Sequence, residues 1–248
     1  MSRKHELGFG IDIGGSGIKG APVDLERGTL ADDRLRIPTP QPATPETVAQ
    51  TVQKILDEFG WTGAFGCTFP AVVQHGVTRT AANVDPSWVD CDAAAVLRTV
   101  TGRDALVVND ADAAGVAEVE FGAAGSRAGV VLLATLGTGI GTALIVDGHL
   151  VPNTEFGHLE LDGHDAETRA ADAARERDDL GWKEWGERLT RYFTHVENLV
   201  WPDLIVVGGG VSKKFGKWSP HVTTRTPMVP AKLLNEAGII GAALLAHG

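Results

Sequence analysis

The chain has 248 residues, 43% hydrophobic and 22% charged, a composition that suits one large or two small globular domains and excludes global disorder. A net charge of −10 argues against a nucleic-acid coat or a membrane-surface protein, and Cys67 and Cys91 are too few for a disulfide framework or a thiolate zinc site. Glycine stands out, at 31 residues against about 7% in average usage, and clusters at 14–20, 122–129, 137–141 and 208–210, where tight turns and close backbone approaches are expected.

In chain order, residues 7–13 read as a buried strand ended by Gly14-Gly15-Ser16-Gly17. Residues 18–23 return as a second strand, and a turn follows at 24–28. Thr44-Pro45-Glu46 opens a helix, with a hydroxyl cap and proline at the first helical position. Val48, Val52, Ile55, Leu56 and Phe59 share its apolar face and Gly60 closes it. Strands are expected at 64–69, 76–82 and 105–108, with helices at 92–100 and 111–121. Residues 130–136 and 142–146 flank a second glycine turn, and Gly137, Thr138, Gly139 and Gly141 interrupt this apolar run, which makes it strand–turn–strand rather than a membrane span. Helices are expected at 165–180 and 183–200, the second with Trp185, Leu189, Tyr192, Val196, Leu199 and Val200 as its apolar stripe. A buried strand at 204–207 runs into Gly208-Gly209-Gly210, and a last helix spans 235–246. The charged first eight residues hold no signal-peptide core, so the expected location is the cytoplasm.

Alternating strands and helices give an α/β class. The two glycine turns begin at Asp12 and Leu136, half a chain apart and each inside a strand–turn–strand unit. That pattern predicts a weak internal duplication and two similar lobes with a cleft between them. The lobes are expected at 1–109 plus 235–248, the smaller, and at 110–234.

Residues 15–20 match the dinucleotide fingerprint by letter but precede an extended segment rather than a helix. Gly216-Lys217 is followed by Trp218, so no Walker A loop exists. A hairpin tip with free N–H groups, Ser16 and Lys19 is either an ordinary glycine turn or an anion nest. The second such tip, Gly137-Thr138-Gly139, and the adjacent Asp12 favour the nest: two hairpins gripping a phosphate chain, with a carboxylate near the metal, form an actin-type phosphotransferase cleft. Asp110, where a strand ends and a helix begins, either caps the helix or takes a proton from a bound hydroxyl. Asn83, Glu155, His158, Glu160 and Glu167 are the amides, carboxylates and imidazole that bond vicinal sugar hydroxyls, and the absence of nearby cysteine and of an HExxH pair counts against zinc.

At these residues the sequence resembles the ROK family of sugar kinases. The motifs are Asp12-Ile13-Gly14-Gly15-Ser16-Gly17-Ile18-Lys19, Asn109-Asp110, Leu136-Gly137-Thr138-Gly139-Ile140-Gly141, Glu155-Phe156-Gly157-His158 and Gly208-Gly209-Gly210-Val211-Ser212, in the family's order and over nearly the whole chain. Asn83-Val84-Asp85-Pro86-Ser87-Trp88 and Val211-Ser212-Lys213-Lys214 are similar to its polyphosphate-using glucokinase branch. The resemblance implies an actin-like (ribonuclease-H-like) fold and phosphorylation of glucose, or mannose, from inorganic polyphosphate or ATP with a divalent metal. It implies Asp110 as the base at the sugar 6-hydroxyl, and Asn83, Asn109, Glu155, His158 and Glu167 around the sugar, with Glu160 the alternative to Glu167. Gly14, Gly15, Ser16, Gly17, Ile18, Lys19, Gly137, Thr138 and Gly139 would cradle phosphates, Gly208, Gly209 and Gly210 would line the distal donor, and Asp12 would hold Mg²⁺ through water. The family's zinc loop of cysteines is missing from 159–167, so no zinc is expected. A homodimer is implied.

Residues 211–232 carry Lys213, Lys214, Lys217, Arg225 and Lys232 and no acid, which is either a solvated charge run or a landing strip for a polyphosphate tail; Lys213, Lys214 and Lys217 are the expected donor contacts. The rival readings are a strictly ATP-dependent sugar kinase, an actin-type ATPase that would not need the sugar residues, and a sugar-responsive repressor, for whose DNA-binding segment the eleven residues before Asp12 leave no room.

Overall fold

The structure is a computed structural model in which residues 6–81, 84–125 and 128–248 are described. The chain forms two units, Met1–Ala117 with Glu236–Gly248, and Glu118–Asn235. In the first, β1 (Leu7–Ile13) and β2 (Ile18–Asp24) make an antiparallel hairpin, with β3 (Thr29–Leu30) and β4 (Leu35–Ile37) on the far side of β2. Helix α1 (Pro45–Glu58) starts where the sequence predicts: Thr44 accepts a bond from the Thr47 N–H, and Val48, Val52, Ile55 and Leu56 are buried. Then β5 (Phe65–Phe69) runs parallel to β1. A small antiparallel sheet follows, made of β6 (Val73–Gln74), β7 (Val77–Thr78) and β8 (Cys91–Asp92). Helix α2 (Ala93–Thr101) is capped by Asp92, β9 (Ala105–Asn109) pairs parallel to β5, and α3 (Asp110–Glu120) begins directly at its end.

The second unit repeats the plan. The hairpin of β10 (Val130–Leu136) and β11 (Ile140–Val146) carries β12 (His149–Val151) at its edge. Next come the ribbon of β13 (Glu160–Leu161) and β14 (His164–Asp165), helices α4 (Glu167–Ala170), α5 (Asp172–Arg177) and α6 (Trp182–Val200), and then β15 (Leu204–Gly208), α7 (Phe215–Trp218) and β16 (Met228–Pro230). Helix α8 (Ala237–His247) belongs to the first unit. The sheet orders are β3-β2-β1-β5-β9 and β12-β11-β10-β15-β16, each a hairpin continued by two parallel strands, as the repeated motif predicts. Among the described residues no helix is long and apolar enough to cross a membrane.

Three local expectations are corrected. Residues 165–180 are not one helix: Ala171 is extended (φ −63°, ψ 158°), and this break lets the Ala173 N–H reach the Gly137 carbonyl at 3.0 Å. Of the expected strand at 76–82, residues 76–81 are described, and among these only Val77–Thr78 is strand. The segment after Gly210 holds an unforeseen strand, β16, which ends on Pro230 at the sheet edge, where a missing N–H is tolerated.

Helix α8 lies against β1, β5 and α3 at backbone contact. A Cβ on Gly10 would fall on the Ile239 carbonyl, one on Gly66 on that of Ala242, and one on Gly241 on that of Ala113. Helix and sheet backbones cannot retreat as a flexible side chain can. Gly241→Ala is therefore expected to cost about 1–3 kcal/mol, read by urea unfolding. Gly238→Ala in the same helix meets only ordinary contacts at 3.6 Å and beyond, and should be neutral or gain up to about 1 kcal/mol. Equal losses in both variants would contradict this packing.

Candidate active site

The sequence-predicted residues fall into two sets, one on each unit. On the first, Asp12 of β1 stands opposite Lys19 of β2 and beside Thr68 of β5. Its carboxylate takes a bond from Lys19 Nζ at 3.0 Å and one from the Thr68 hydroxyl at 3.0 Å, so its direction is set from both neighbouring strands. Lys19 thus pairs with Asp12 instead of standing free. At the hairpin tip, Gly14 N–H bonds the Gly17 carbonyl at 3.1 Å, Thr39 donates to the Gly14 carbonyl at 2.5 Å and Arg36 to the Ser16 carbonyl at 2.8 Å. The carbonyls are thereby held, while the N–H groups of exposed Gly15 and Ser16 make no hydrogen bond among the described residues. Arg36 is a residue the sequence reading missed. It sits on β4 opposite Lys19 of β2, its guanidinium fills the place of a Gly17 side chain, and it makes no ion pair with an acid among the described residues. Its register on an edge strand, invisible in the motif, is what brings it there.

Beside this tip a cavity of about 260 Å³ is lined by Gly14, Gly15, Phe69, Val84, Asp85 and Trp88, among others. Asn83 itself lies outside the described residues. Asn109 and Asp110 divide the two duties open at the start of α3. Asn109 is buried; its side-chain oxygen accepts from the N–H groups of Ala111 (2.8 Å) and Asp112 (3.1 Å), and its amide donates to the Ala71 carbonyl at 3.1 Å. Asn109 is thus the helix cap, and both of its polar ends are engaged within the fold. Asp110 is exposed, with one oxygen 2.8 Å from the Ala111 N–H.

On the second unit, β11 organises everything around its first turn. Ile140 N–H donates to Glu167 Oε2 at 2.9 Å, and a Cβ on Gly139 would fall on that same oxygen. Two residues on, the Thr142 hydroxyl takes the Phe156 N–H at 3.1 Å and bonds the Thr154 carbonyl, and a Cβ on Gly157 would strike the Ile140 carbonyl. The segment carrying Glu155 and His158 is therefore pressed onto the strand that forms the glycine turn. His158 Nδ1 lies 2.8 Å from Asp165 Oδ2 and 4.0 Å from Glu167 Oε1, and its Nε2 lies 3.9 Å from Glu155 Oε2. The bond to Asp165, with help from the Glu167, Asp165 and Glu155 charges, raises the His158 pKa against a smaller opposing effect of burial. Burial raises that of Glu155, with Glu167 adding to it and His158 opposing. Glu160 is exposed on β13 and makes no hydrogen bond within this network. Ligand atoms of His158, Asp165 and Glu167 lie within 4.8 Å of one another, close enough to share a cation, but each already holds a hydrogen bond or close polar contact.

Gly208 ends β15, Gly209 (φ +81°) has no room for a side chain against the Leu136 backbone, and Gly210 opens a 3₁₀ turn through Lys214. Lys213, Lys214 and Lys217 are exposed and form no ion pair among the described residues; Lys214 Nζ lies 5.8 Å from the Trp182 ring centre. Arg225, in contrast, donates to the Glu197 carbonyl at 2.9 Å and covers the Trp201 ring at 3.9 Å. It serves the fold, and the basic strip is narrower than its sequence suggests.

The ROK family profile matches residues 8–171. The polyphosphate glucokinase of Mycobacterium tuberculosis is 52% identical over 238 residues, 96% of this chain and 90% of its own length. The crystal structure of an inorganic polyphosphate/ATP-glucomannokinase from Arthrobacter sp. strain KM superposes with a TM-score of 0.92 and 54% identity, covering 97% of this chain and 98% of its own. A ROK glucokinase from Streptomyces griseus, at 23% identity, shares the fold with a TM-score of 0.83 over 98% of this chain and 99% of its own.

The capping assignment predicts that Asn109→Ala destabilises the first unit by about 1–2 kcal/mol, whereas Asn109→Ser keeps a capping oxygen and loses less. Denaturant unfolding of the two variants checks this, and an Asn109→Ala protein as stable as the parent would contradict it.

Proposed function

The chain belongs to the ROK family, and from that premise we propose that it transfers a phosphoryl group to the 6-hydroxyl of glucose or mannose from inorganic polyphosphate or ATP. The observation that carries the reading is the likeness, over 96% of the chain, to a protein named for glucose and polyphosphate. The actin-like sugar-kinase fold and the exposed carboxylate at the start of α3, relieved of the main capping duty by Asn109, support it. Asp110 is the group that orients the acceptor hydroxyl and receives its proton as the oxygen attacks phosphorus in line with the departing phosphate. Glu155, His158 and Glu167 bond the sugar hydroxyls, together with Asn83. Asn109 acts indirectly, by fixing the backbone that presents Asp110. The N–H groups at the two glycine turns, with Ser16 and Thr138, face the phosphate oxygens; such preorganised donors stabilise charge without reorganising during reaction. Lys19 contributes by holding Asp12, and Gly208, Gly209 and Gly210 leave backbone room for the rest of the donor.

Asp12 offers oxygen ligands alone, fixed in direction, which suits a hard cation held through its waters, and the Lys19 pairing disfavours direct coordination. Mg²⁺ bound there would neutralise charge on the phosphates. No zinc is assigned, since 118–235 contains no cysteine. Lys213, Lys214 and Lys217 receive the polyphosphate tail as mobile point charges. The proposed setting is the cytoplasm, with the enzyme acting as a homodimer.

The deciding experiment is glucose 6-phosphate formation with Mg²⁺ and ATP alone, long-chain polyphosphate alone, or neither. Product with polyphosphate supports the reading, product with ATP alone makes the chain a strictly ATP-dependent sugar kinase, and no product refutes the sugar assignment. Asp110→Asn is expected to lower kcat on the order of a hundredfold or more with little change in glucose affinity; near-parental turnover would overturn the base assignment. Replacing Lys213, Lys214 and Lys217 by alanine should raise the KM for polyphosphate and flatten its salt dependence, because counterion release scales with the number of phosphate contacts. An unchanged salt slope would make the strip a solvated surface.

A further inference from the structure

Asp165 has no role in the reaction as described, yet its carboxylate touches two of the residues that have one. It reaches them through a ribbon of minimal length: β13 and β14 are joined by Asp162 (φ +55°) and Gly163 (φ +77°), the left-handed pair of a tight hairpin turn. The Ala166 N–H continues the pairing to the Leu159 carbonyl at 2.9 Å, which returns the chain to His158 within seven residues. The ribbon is tied to the long helix α6 by Arg191, which bonds both oxygens of Asp162 at 2.7 and 3.1 Å. At its end, Asp165 Oδ2 meets His158 Nδ1 at 2.8 Å, Oδ1 accepts the Glu167 N–H at 3.2 Å, and the Asp165 carbonyl accepts the Thr168 hydroxyl at 2.6 Å.

From this arrangement we propose that Asp165 is a positioning residue for the acceptor sugar, orienting the His158 ring and the start of α4 that carries Glu167. The proposal rests on the sugar-kinase reading above. A carboxylate at Nδ1 requires a proton on that nitrogen, whether the imidazole is neutral or charged, because two lone pairs would otherwise face each other. Nε2 is then turned toward Glu155, 3.9 Å from its Oε2. A hydroxyl oxygen can bond both at about 2.8 Å. Glu167, set by the same carboxylate, bonds the Ile140 N–H beside Gly139 and so extends the arrangement to the phosphate-side turn. His158 is half accessible in its side chain, so the bond to the ribbon, rather than burial, sets its ring orientation.

The test uses the full chain with Asp165→Ala and Asp165→Asn. Asparagine retains one side-chain oxygen, which can accept from His158 Nδ1–H, whereas alanine retains none. Loss of the charge-assisted bonds in Asp165→Ala is expected to raise the glucose KM on the order of tenfold. The polyphosphate KM should change less than about twofold, since the direct phosphate donors are elsewhere. Asp165→Asn should recover most of the loss. Nitrogen-15 spectra of the imidazoles, with the His158 signal identified by its absence in His158→Gln, should show a protonated Nδ1 in the parent and in Asp165→Asn but not in Asp165→Ala. An unaltered His158 spectrum in Asp165→Ala overturns the proposal, as does an equal loss for both substrates accompanied by a lowered Tm. If the parent makes no sugar phosphate the sugar-kinase reading fails, and the imidazole spectra still decide whether Asp165 positions His158.

Discussion

The first unit depends on how closely α8 approaches its neighbours. Glycines at 10, 66 and 241 let the backbones of β1, β5, α3 and α8 meet without intervening side chains, so the helix is clamped between the sheet and α3. Such contacts add little apolar area of their own, but they fix distance more strictly than a leucine interface would, because there is no rotamer to yield. The consequence reaches the site. The first turn of α8 passes beside Asp12, where a Cβ on Gly238 would lie 3.7 Å from its carboxylate. Thr68 and Lys19 fix the same carboxylate from the flanking strands. That carboxylate is thereby held by elements far apart in the chain.

The second unit solves a related problem with side chains. One strand, β11, begins at the glycine turn and carries Thr142, which holds the segment before His158; one carboxylate, Glu167, ties that turn to the histidine cluster. Buried acids do similar work elsewhere. Glu118 accepts the N–H groups of Ala123, Lys232 and Leu233 at 2.7–3.0 Å, and Glu197 accepts those of Arg225 and Thr226 at 3.2 and 2.6 Å. Each carboxylate satisfies several backbone donors at once, which is how the irregular stretches on either side of β16 are held.

What the sequence reveals and what it hides follow from the range of the causes. The two hairpins, α1 and α2 with their Thr44 and Asp92 caps, and the duplication of the sheet plan rest on neighbours within a few residues, and they are legible. The break at Ala171 is not, because an alanine-rich run carries every local sign of helix and the interruption answers to a carbonyl on Gly137. Arg36 escapes for the same reason, its place at the first turn being a matter of strand register. Asn109 shows a subtler limit. The family resemblance implies that it faces the sugar, and the structure shows its two polar ends engaged by α3 and Ala71. The Asp-Gly turn that delivers Asp165 to His158 has a clear local signature, but it is hidden inside a stretch that otherwise reads as the approach to a helix.

A protein of net charge −10 that handles a polyanion needs positive potential only where the phosphates lie. On the proposed reading it is supplied locally and in two forms. Backbone N–H groups at the glycine turns are rigid and uncharged, which suits a reacting phosphate, where geometry matters and a free lysine would be imprecise. Lys213, Lys214 and Lys217 are flexible and exposed, suited to a chain of variable length whose position need not be fixed. Other cations are engaged within the fold: Lys19 is paired with Asp12, and Arg225 is held by the α6 carbonyl and the face of Trp201. Of the cations near the glycine turns, Arg36 alone combines a fixed guanidinium with the absence of an acidic partner among the described residues. If the first turn receives an anion as proposed, that charge stands beside it, and phosphoryl transfer, in which positioning and charge neutralisation provide most of the catalysis, is the chemistry that would gain from such an arrangement.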